Sequence, residues 1–443
     1  MSRWRDGLRE LRRYPSAVAG LALIGFLVAL SIYTLFAIPY SQALELWRGG
    51  EAWRMHPVNA RPVWVDRLMG GDQPETIVVS SRDFPLEEAT FEGGRQVRIP
   101  LIFDYDYGGF PSEINLFLSA RPGEREHFVR LTWRTPEGEE IPLGGRRIGA
   151  EDRVSISQDW ALERRLGQIP HVGLLAVPDA DGPPQVQRGR YELTLDAILF
   201  GEDGRLEADL ALYGRVHGLA GTDHLRRDLI VALLWGTPVA LAFGLLAAVG
   251  TTITTLVIAA AGVWLGGWVD AVIQRLTEVN MILPLLPILV MVGTLYSTSI
   301  WLMLGVVILL GIFSAGIKMY RAMLLPIRTS PYIEAARAYG AGHTRIILRY
   351  MIPRILPVLI PTFVTLIPTF VFLEASLAVL GLGDPVLPTW GKVLNDAQVQ
   401  SALYNGFYYW VLSPAALLML TGLGFAMLGF ALDRVFNPRL RAM

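Results

Sequence analysis

The residue in this chain best placed for membrane chemistry is an acid that stands alone. Glu374, in FVFLEASLAVLGLGD, is the single charged side chain between Ile355 and Gly383. A carboxylate in hydrocarbon is expensive and therefore a functional candidate. It could relay a proton or touch a substrate, with Ser376 as a second candidate for lining a translocation path. The alternative is a polar packing contact with a neighbouring helix or a partner subunit. Centres for covalent chemistry are missing. The 443 residues include no cysteine, which excludes disulfides, thiolate metal sites and a cysteine nucleophile. No G-x-x-x-x-G-K-[ST] loop is present to cradle phosphates, and neither H-E-x-x-H nor G-x-S-x-G occurs. Asp104 and Asp106 alternate with Phe103, Tyr105, Tyr107 and Phe110. Two carboxylates without the rest of a ligand loop are weak grounds for calcium, and the aromatics read as sandwich packing before they read as a ligand platform. The chain is expected to be no enzyme and to bind no metal or cofactor of its own.

Two further stretches carry recognisable patterning. In Gly221-Thr222-Asp223-His224-Leu225-Arg226-Arg227-Asp228, just ahead of an apolar run, Thr222 or Asp223 is expected to cap a helix that begins at Leu225. In PYIEAARAYGAGHTRIILRYMIPR, residues 331–354, Arg337, Arg345, Arg349 and Arg354 outweigh Glu334. Such a basic segment between apolar runs belongs on the cytoplasmic side of a membrane. Ala335, Ala336 and Ala338 would let a foreign surface approach closely, and Gly340 would turn a short helix sharply.

The elements that must hold these residues follow from composition. The chain is 52% hydrophobic and 18% charged, with a net charge of -1, which offers nucleic acid no basic surface. Apolar runs at the start and through the last half bracket a polar middle, so the chain is part membrane and part water-facing domain. Arg3, Arg5, Arg9, Arg12 and Arg13 precede an uncharged run from about Ser16 to Pro39, long enough to cross a core of about 30 Å. It reads as an uncleaved helix with its amino end in the cytoplasm. From 41 to 217, short runs of β-formers (ETIVVSS, QVRIPLIF, EINLFLSA, FVRLTWRT, YELTLDAIL, ADLALYGRV) alternate with breaks such as Pro136-Glu137-Gly138 and Gly201–Gly204. That spacing predicts a β-sandwich-like domain outside the cytoplasmic membrane. Further spans are expected at about Thr237–Leu265, Met281–Tyr296, Ile300–Tyr320, Ile355–Leu380 and Phe407–Leu432. A short turn at Gly266–Glu278 and an outer connection at Gly381–Asn405 separate some of them. Six spans in total return the carboxyl end, with Arg434, Arg439 and Arg441, to the cytoplasm, as the charge rule requires.

Several of these stretches together resemble the inner-membrane permeases of dipeptide, oligopeptide and nickel ABC importers. Glu334-Ala335-Ala336, Gly340 and Ile352-Pro353 are similar to that family's ATPase-coupling loop, here 321–354. Gly221, Thr222, Asp223, Arg227 and Asp228 match its G-T-D-x-x-G-R-D element before the second helix, with Arg226 where glycine is usual. Glu374-Ala375-Ser376-Leu377 with Leu380–Gly383, Pro388-x-Trp390-Gly391 and Asn437–Arg441 match its later motifs. Ala378-Val379 and Pro353-Arg354 depart from it. The resemblance covers 1–40 loosely and 218–443 nearly continuously, but not the 41–217 domain. It implies an α-helical polytopic membrane protein of ABC importer permease type with an inserted extracytoplasmic domain. It further implies a homologous second permease, two cytoplasmic ATPase subunits that bind ATP and magnesium, an extracytoplasmic substrate-binding protein and a membrane-lipid surround, in the bacterial inner membrane. Peptides are the expected cargo. Nickel, glutathione or a sugar is the alternative, and a membrane-anchored sensor or assembly protein working through its β-domain is the rival of another class.

Overall fold

A computed structural model describes residues 14–91, 94–120, 127–178, 182–200 and 205–436. The amino-terminal arginines, the Gly201–Gly204 turn and the Asn437–Arg441 tail lie outside the described residues. The chain divides into two compact units, one of residues 1–48 with 231–443 and the other of residues 49–230.

The second unit is a β-sandwich. Its strands are β1 (Ile77–Ser80), β2 (Glu87–Phe91), β3 (Gly94–Tyr105), β4 (Glu113–Ala120), β5 (His127–Arg134), β6 (Glu140–Ile148), β7 (Glu151–Ser155), β8 (Gly189–Phe200) and β9 (Leu206–Tyr213). One sheet has the order β1-β9-β4-β7 and the other β2-β3-β8-β5-β6. All the pairings are antiparallel. Period-two alternation builds this arrangement: every second residue is buried from Val97 in β3, throughout β5 and from Tyr191 in β8, and both sheets contribute to one core. Trp133 and Tyr191 are buried at its centre, and each such ring removes apolar surface worth roughly 1.5–3 kcal/mol. Their polar tips are satisfied, by Trp133 Nε1–H donating to the Leu174 carbonyl at 3.2 Å and Tyr191 O–H to that of Gln187 at 2.6 Å. Phe103 stacks on Tyr191 at 5.7 Å, and Tyr107 and Phe110 pack against the same core. The aromatic run is therefore packing.

The other unit is helical. Its elements include α1 (Pro15–Ala37), α2 (Leu229–Leu265), α3 (Gly267–Ile282), α4 (Leu285–Leu295), α5 (Ile300–Ile312), α6 (Gly316–Arg328), α7 (Pro331–Ala338), α8 (Ile352–Leu377), α9 (Trp390–Val399) and α10 (Tyr408–Phe436). Four helical stretches are long and apolar enough to cross a membrane, or six if the bent pairs α3–α4, at 77°, and α5–α6, at 44°, each form one span. Small residues let the helices close. A Cβ on Gly20 of α1 would lie 2.8 Å from the Gly424 carbonyl of α10, and one on Gly244 of α2 would lie 2.8 Å from that of Ile367 in α8. Close approach of backbones through small residues is how helices associate where lipid removes the hydrophobic drive.

Several sequence expectations need correction. Residues 266–278 are no turn, because all but the first lie in α3. Its aliphatic residues at helical spacing outweigh its three charges. The outer connection 381–405 contains α9, capped by Thr389, whose hydroxyl accepts from the Lys392 amide at 3.2 Å. The second span begins at Leu229 instead of Thr237, with Pro238 inside the helix. The units divide at 48/49 and 230/231 in place of 40/41 and 217/218. The reason is that 218–230 is hydrogen-bonded into the sandwich unit.

Candidate functional site

The surface most ready for a partner is the short helix α7. Pro331 opens it at a position where the missing N–H costs nothing. Its end is a Schellman turn: the Gly340 amide donates to the Arg337 carbonyl at 2.9 Å and the Ala341 amide to that of Ala336 at 3.0 Å. This turn requires the left-handed backbone that Gly340 supplies at φ 77°. Ile333 is buried in one cluster with Trp264, Ile317, Tyr320 and Leu324, and Ala336 is buried as well. Tyr332, Glu334, Ala335, Arg337, Ala338, Tyr339 and Gly340 are left exposed. Alanines and a glycine on the open face allow close approach, and the buried pair keeps the helix from shifting.

What steadies α7 was not readable from the sequence. Trp264 donates from Nε1 to His343 Nδ1 at 2.8 Å, and the Arg337 guanidinium lies 5.2 Å over its ring. Arg321 of α6 grips Asp270 of α3 through both oxygens, at 2.7–3.1 Å. These partners are 51–79 residues apart, and no local pattern announces them. Ile352 and Pro353 stand in the first turn of α8, directly after a π-helical turn, Ile347–Met351. The 321–354 stretch is thus mostly helical, and Arg345, Arg349 and Arg354 are exposed.

The 221–228 element is a buried knot in the sandwich unit. Thr222 is fully buried; its hydroxyl accepts from the Ala60 amide at 3.0 Å and donates to the Pro57 carbonyl at 2.7 Å. Asp223, also fully buried, accepts from the amides of Leu225 and Arg227 at 2.8 and 2.9 Å and from Arg227 Nε at 2.5 Å. The expected cap is therefore corrected: no helix begins at Leu225, and Asp228 receives the first-turn amide of Ile230 at 2.9 Å. The Gly221 carbonyl accepts from Leu229 at 3.0 Å, which ties the knot to the helix start. Arg226 holds φ 66°, the left-handed conformation a glycine would take freely. Its guanidinium reaches the His56 carbonyl and Glu113, each at 2.7 Å, and stacks 4.2 Å over Tyr213. Close by, the rings of His56 and His217 lie 4.3 Å apart. Burial, then the neighbouring His217, pushes His56 down to about 4. Burial also lowers His217, against the pull of Asp228, and raises Asp228.

Glu374 and Ser376 do not share a face. Glu374 is buried on α8 with Thr389 as its side-chain hydrogen-bond partner. Ser376 is exposed and its hydroxyl donates to the Phe372 carbonyl at 2.7 Å. The neighbouring motif residues are structural: Trp390 donates to the Leu233 carbonyl at 2.9 Å, and Asp384 accepts from the Ile300 amide at 3.2 Å. Among the described residues no cluster of three or more metal-ligating side chains occurs.

Two family models match the chain. That of the binding-protein-dependent transport system inner membrane component covers residues 240–442, and that of the N-terminal TM domain of oligopeptide transport permease C covers residues 2–54. The glutathione transport system permease protein GsiD of Pectobacterium atrosepticum is 31% identical over 226 residues, 50% of this chain and 73% of that protein. GsiD of Escherichia coli O6:K15:H31 is 32% identical over 230 residues, 50% and 72% of the two chains. The dipeptide transport system permease protein DppC of Alkalihalophilus pseudofirmus is 27% identical over 225 residues, again 50% and 72%. With its apolar helices and these relatives, the chain belongs to the family of inner-membrane permease subunits of binding-protein-dependent ABC importers, and it is a membrane subunit without enzymatic activity of its own.

Proposed function

We propose that this chain is one of two permease subunits that together form the path of a peptide importer. The relatives named for glutathione and dipeptide transport support peptide cargo, since both names denote short chains of amides. In this reading each bent helix pair is one span, six spans cross the membrane, and both ends of the chain are cytoplasmic. The sandwich stands outside, next to a substrate-binding protein that delivers cargo. Two cytoplasmic ATPase subunits hold ATP and magnesium, and each permease engages one of them.

The observation that carries the reading is α7. It is a short exposed helix, closed by a glycine turn and rooted by Ile333 in a buried cluster. Packed elements move as bodies, so a helix held in an ATPase cleft can transmit closure of the ATPases to the spans. Purification of the tagged chain in mild detergent tests this, with ATP hydrolysis read on the eluate. Co-purifying ATPases, stimulated by a peptide-loaded binding protein, are the expected result. Gly340→Glu and Glu334→Lys are expected to insert normally and lose coupled uptake. Normal uptake by both variants would remove α7 from the coupling role, and a chain that arrives without any ATPase would remove the importer reading.

A further inference from the structure

Water-facing domains scatter their exposed apolar side chains, and a contiguous patch marks a surface that something covers. The sandwich unit has such a patch. Its three most exposed large apolar residues, among those described, are Leu68 at 79%, Leu219 at 74% and Met69 at 73%, and all three belong with Trp64. Trp64 and Leu68 lie one turn apart on a short helix, Val63–Leu68, and Met69 ends it. Trp64 Nε1 donates to the Leu219 carbonyl at 2.9 Å, and the Val63 amide donates to that of Gly218 at 3.1 Å. With its N–H taken up, Trp64 offers a half-exposed apolar ring.

The chain itself indicates what covers the patch. Leu219 is two residues from Gly221, whose carbonyl accepts the first amide of α2, that of Leu229, at 3.0 Å. The stretch leading into the short helix is bonded to the same segment: the Arg61 amide donates to the Arg215 carbonyl at 3.1 Å, and the His217 amide to that of Arg61 at 2.8 Å. No charged residue occurs in the 37 residues of α2. At 1.5 Å per residue such a helix is about 55 Å long, enough to pass the hydrocarbon core and both headgroup layers, about 40–45 Å together. Its first residues therefore reach headgroup level, and the patch is tied to them. The charge fits as well. Residues 61–71 and 214–221 carry Arg61, Arg67 and Arg215 against one acid, Asp66, which is buried. The Arg67 side chain is 76% exposed, with Glu75 as its acid at 3.8 Å, and a guanidinium so placed can turn to a phosphate.

We propose that Trp64, Leu68, Met69 and Leu219 form a lipid-binding face by which the sandwich unit rests in the headgroup layer of its own membrane, with Arg67 toward lipid phosphate. Tryptophan is the side chain that membrane interfaces enrich, because its ring is apolar and amphipathic. Such a face would limit how far the sandwich tilts over the bilayer. The inference needs only that α2 crosses a membrane, and it is independent of the cargo and of coupling through α7.

The chain has no cysteine, so single thiols report cleanly. Leu68→Cys and Leu219→Cys, each carrying the fluorophore NBD, would be compared with Thr90→Cys and Ala150→Cys, exposed positions at the opposite end of the sheets. The full chain, with the subunits that purify with it, would be placed in nanodiscs of phosphatidylethanolamine and phosphatidylglycerol, with and without a lipid bearing a nitroxide near its headgroup. Emission from 68 and 219 is expected to be quenched severalfold more than emission from 90 and 150. Quenching no stronger than at the control positions would overturn the lipid face. If emission from 68 and 219 were then still blue-shifted relative to the controls, a protein partner would be what covers the patch.

Discussion

Along β8 of the sandwich, buried residues alternate with half-buried ones from Tyr191 to Phe200, whereas α10 of the helical unit leaves Leu412, Met419, Leu423 and Phe430 exposed at 52–71%. The two units face different solvents. Water drives apolar side chains inward in the sandwich, so its largest fully buried groups are Trp133, Tyr105, Tyr191 and Tyr213. Lipid supplies no such drive. The helices instead meet through glycines such as Gly20, Gly244 and Gly424, and keep large apolar residues outside. Polar groups follow the same division. Ion pairs such as Arg98–Asp196 and Arg188–Asp72 decorate the sandwich surface, while hydroxyls inside the long helices turn back on their own carbonyls, as Thr237 does to Leu233 at 3.1 Å.

The sharpest exception within the sandwich unit is its buried ion pair, and breaking it should have the largest effect. Asp223→Ala leaves Arg227 buried without its carboxylate, and a loss of about 3–5 kcal/mol is expected. Denaturant unfolding of the full chain in detergent, followed by tryptophan fluorescence, measures it; a loss below 1 kcal/mol, on the order of a surface pair, would show that the pair is incidental. In the helical unit the corresponding weak point is steric. Gly20→Leu should cost about 1–3 kcal/mol by forcing α1 off α10, while Gly25→Leu, with nothing within 4 Å, should be tolerated. Equal melting temperatures for the two variants in detergent would contradict close helix packing at Gly20.

Acid should separate the units again. His56 titrates near 6.5 when unfolded and about 4 when folded, so the unfolded state binds more protons between these values. The stability it contributes is complete above pH 6.5 and is lost as pH falls toward 4. The full shift corresponds to a loss of about 2 kcal/mol from pH 7 to pH 5, and solvent screening of the half-buried ring brings the expected loss to about 1 kcal/mol. Burial of Asp228 acts with the opposite sign, since a raised carboxyl gains stability as pH falls. The comparison with His56→Phe isolates the histidine, and an unchanged pH profile in that variant would count against its role. The smallest effect concerns Arg226. Arg226→Gly and Arg226→Ala both lose the contacts to His56 and Glu113, but only alanine must still hold the left-handed backbone. Alanine should be less stable than glycine by about 0.5–1 kcal/mol, and the reverse order would show that the backbone there relaxes.

The strands legible from the sequence were β1, β3, β4, β5, β8 and β9. Those that were not, β2, β6 and β7, are all sheet edges. EEATF, EIPLGGRRI and EDRVS carry the charges and glycines that keep an edge from pairing with another chain, and the same residues hide the strand pattern. The helix α3 was obscured likewise by Asp270, Arg275 and Glu278, whose partners lie on other elements or one turn away.

Local composition determined much about this protein. Long apolar runs specify membrane helices because each must satisfy its own backbone in lipid, and period-two runs specify strands with one buried face. Gly340 specifies a turn because few other residues take its backbone angles. Only the tertiary structure decided what pairs with what. The fixing of Trp264 by His343 and Arg337, the reduction of 221–228 to a buried knot, the separation of Glu374 from Ser376 and the meeting of Trp64 with Leu219 in one apolar patch were all beyond local pattern. Each depends on which faces of the elements meet, and a periodicity shows that a face exists without naming its neighbour.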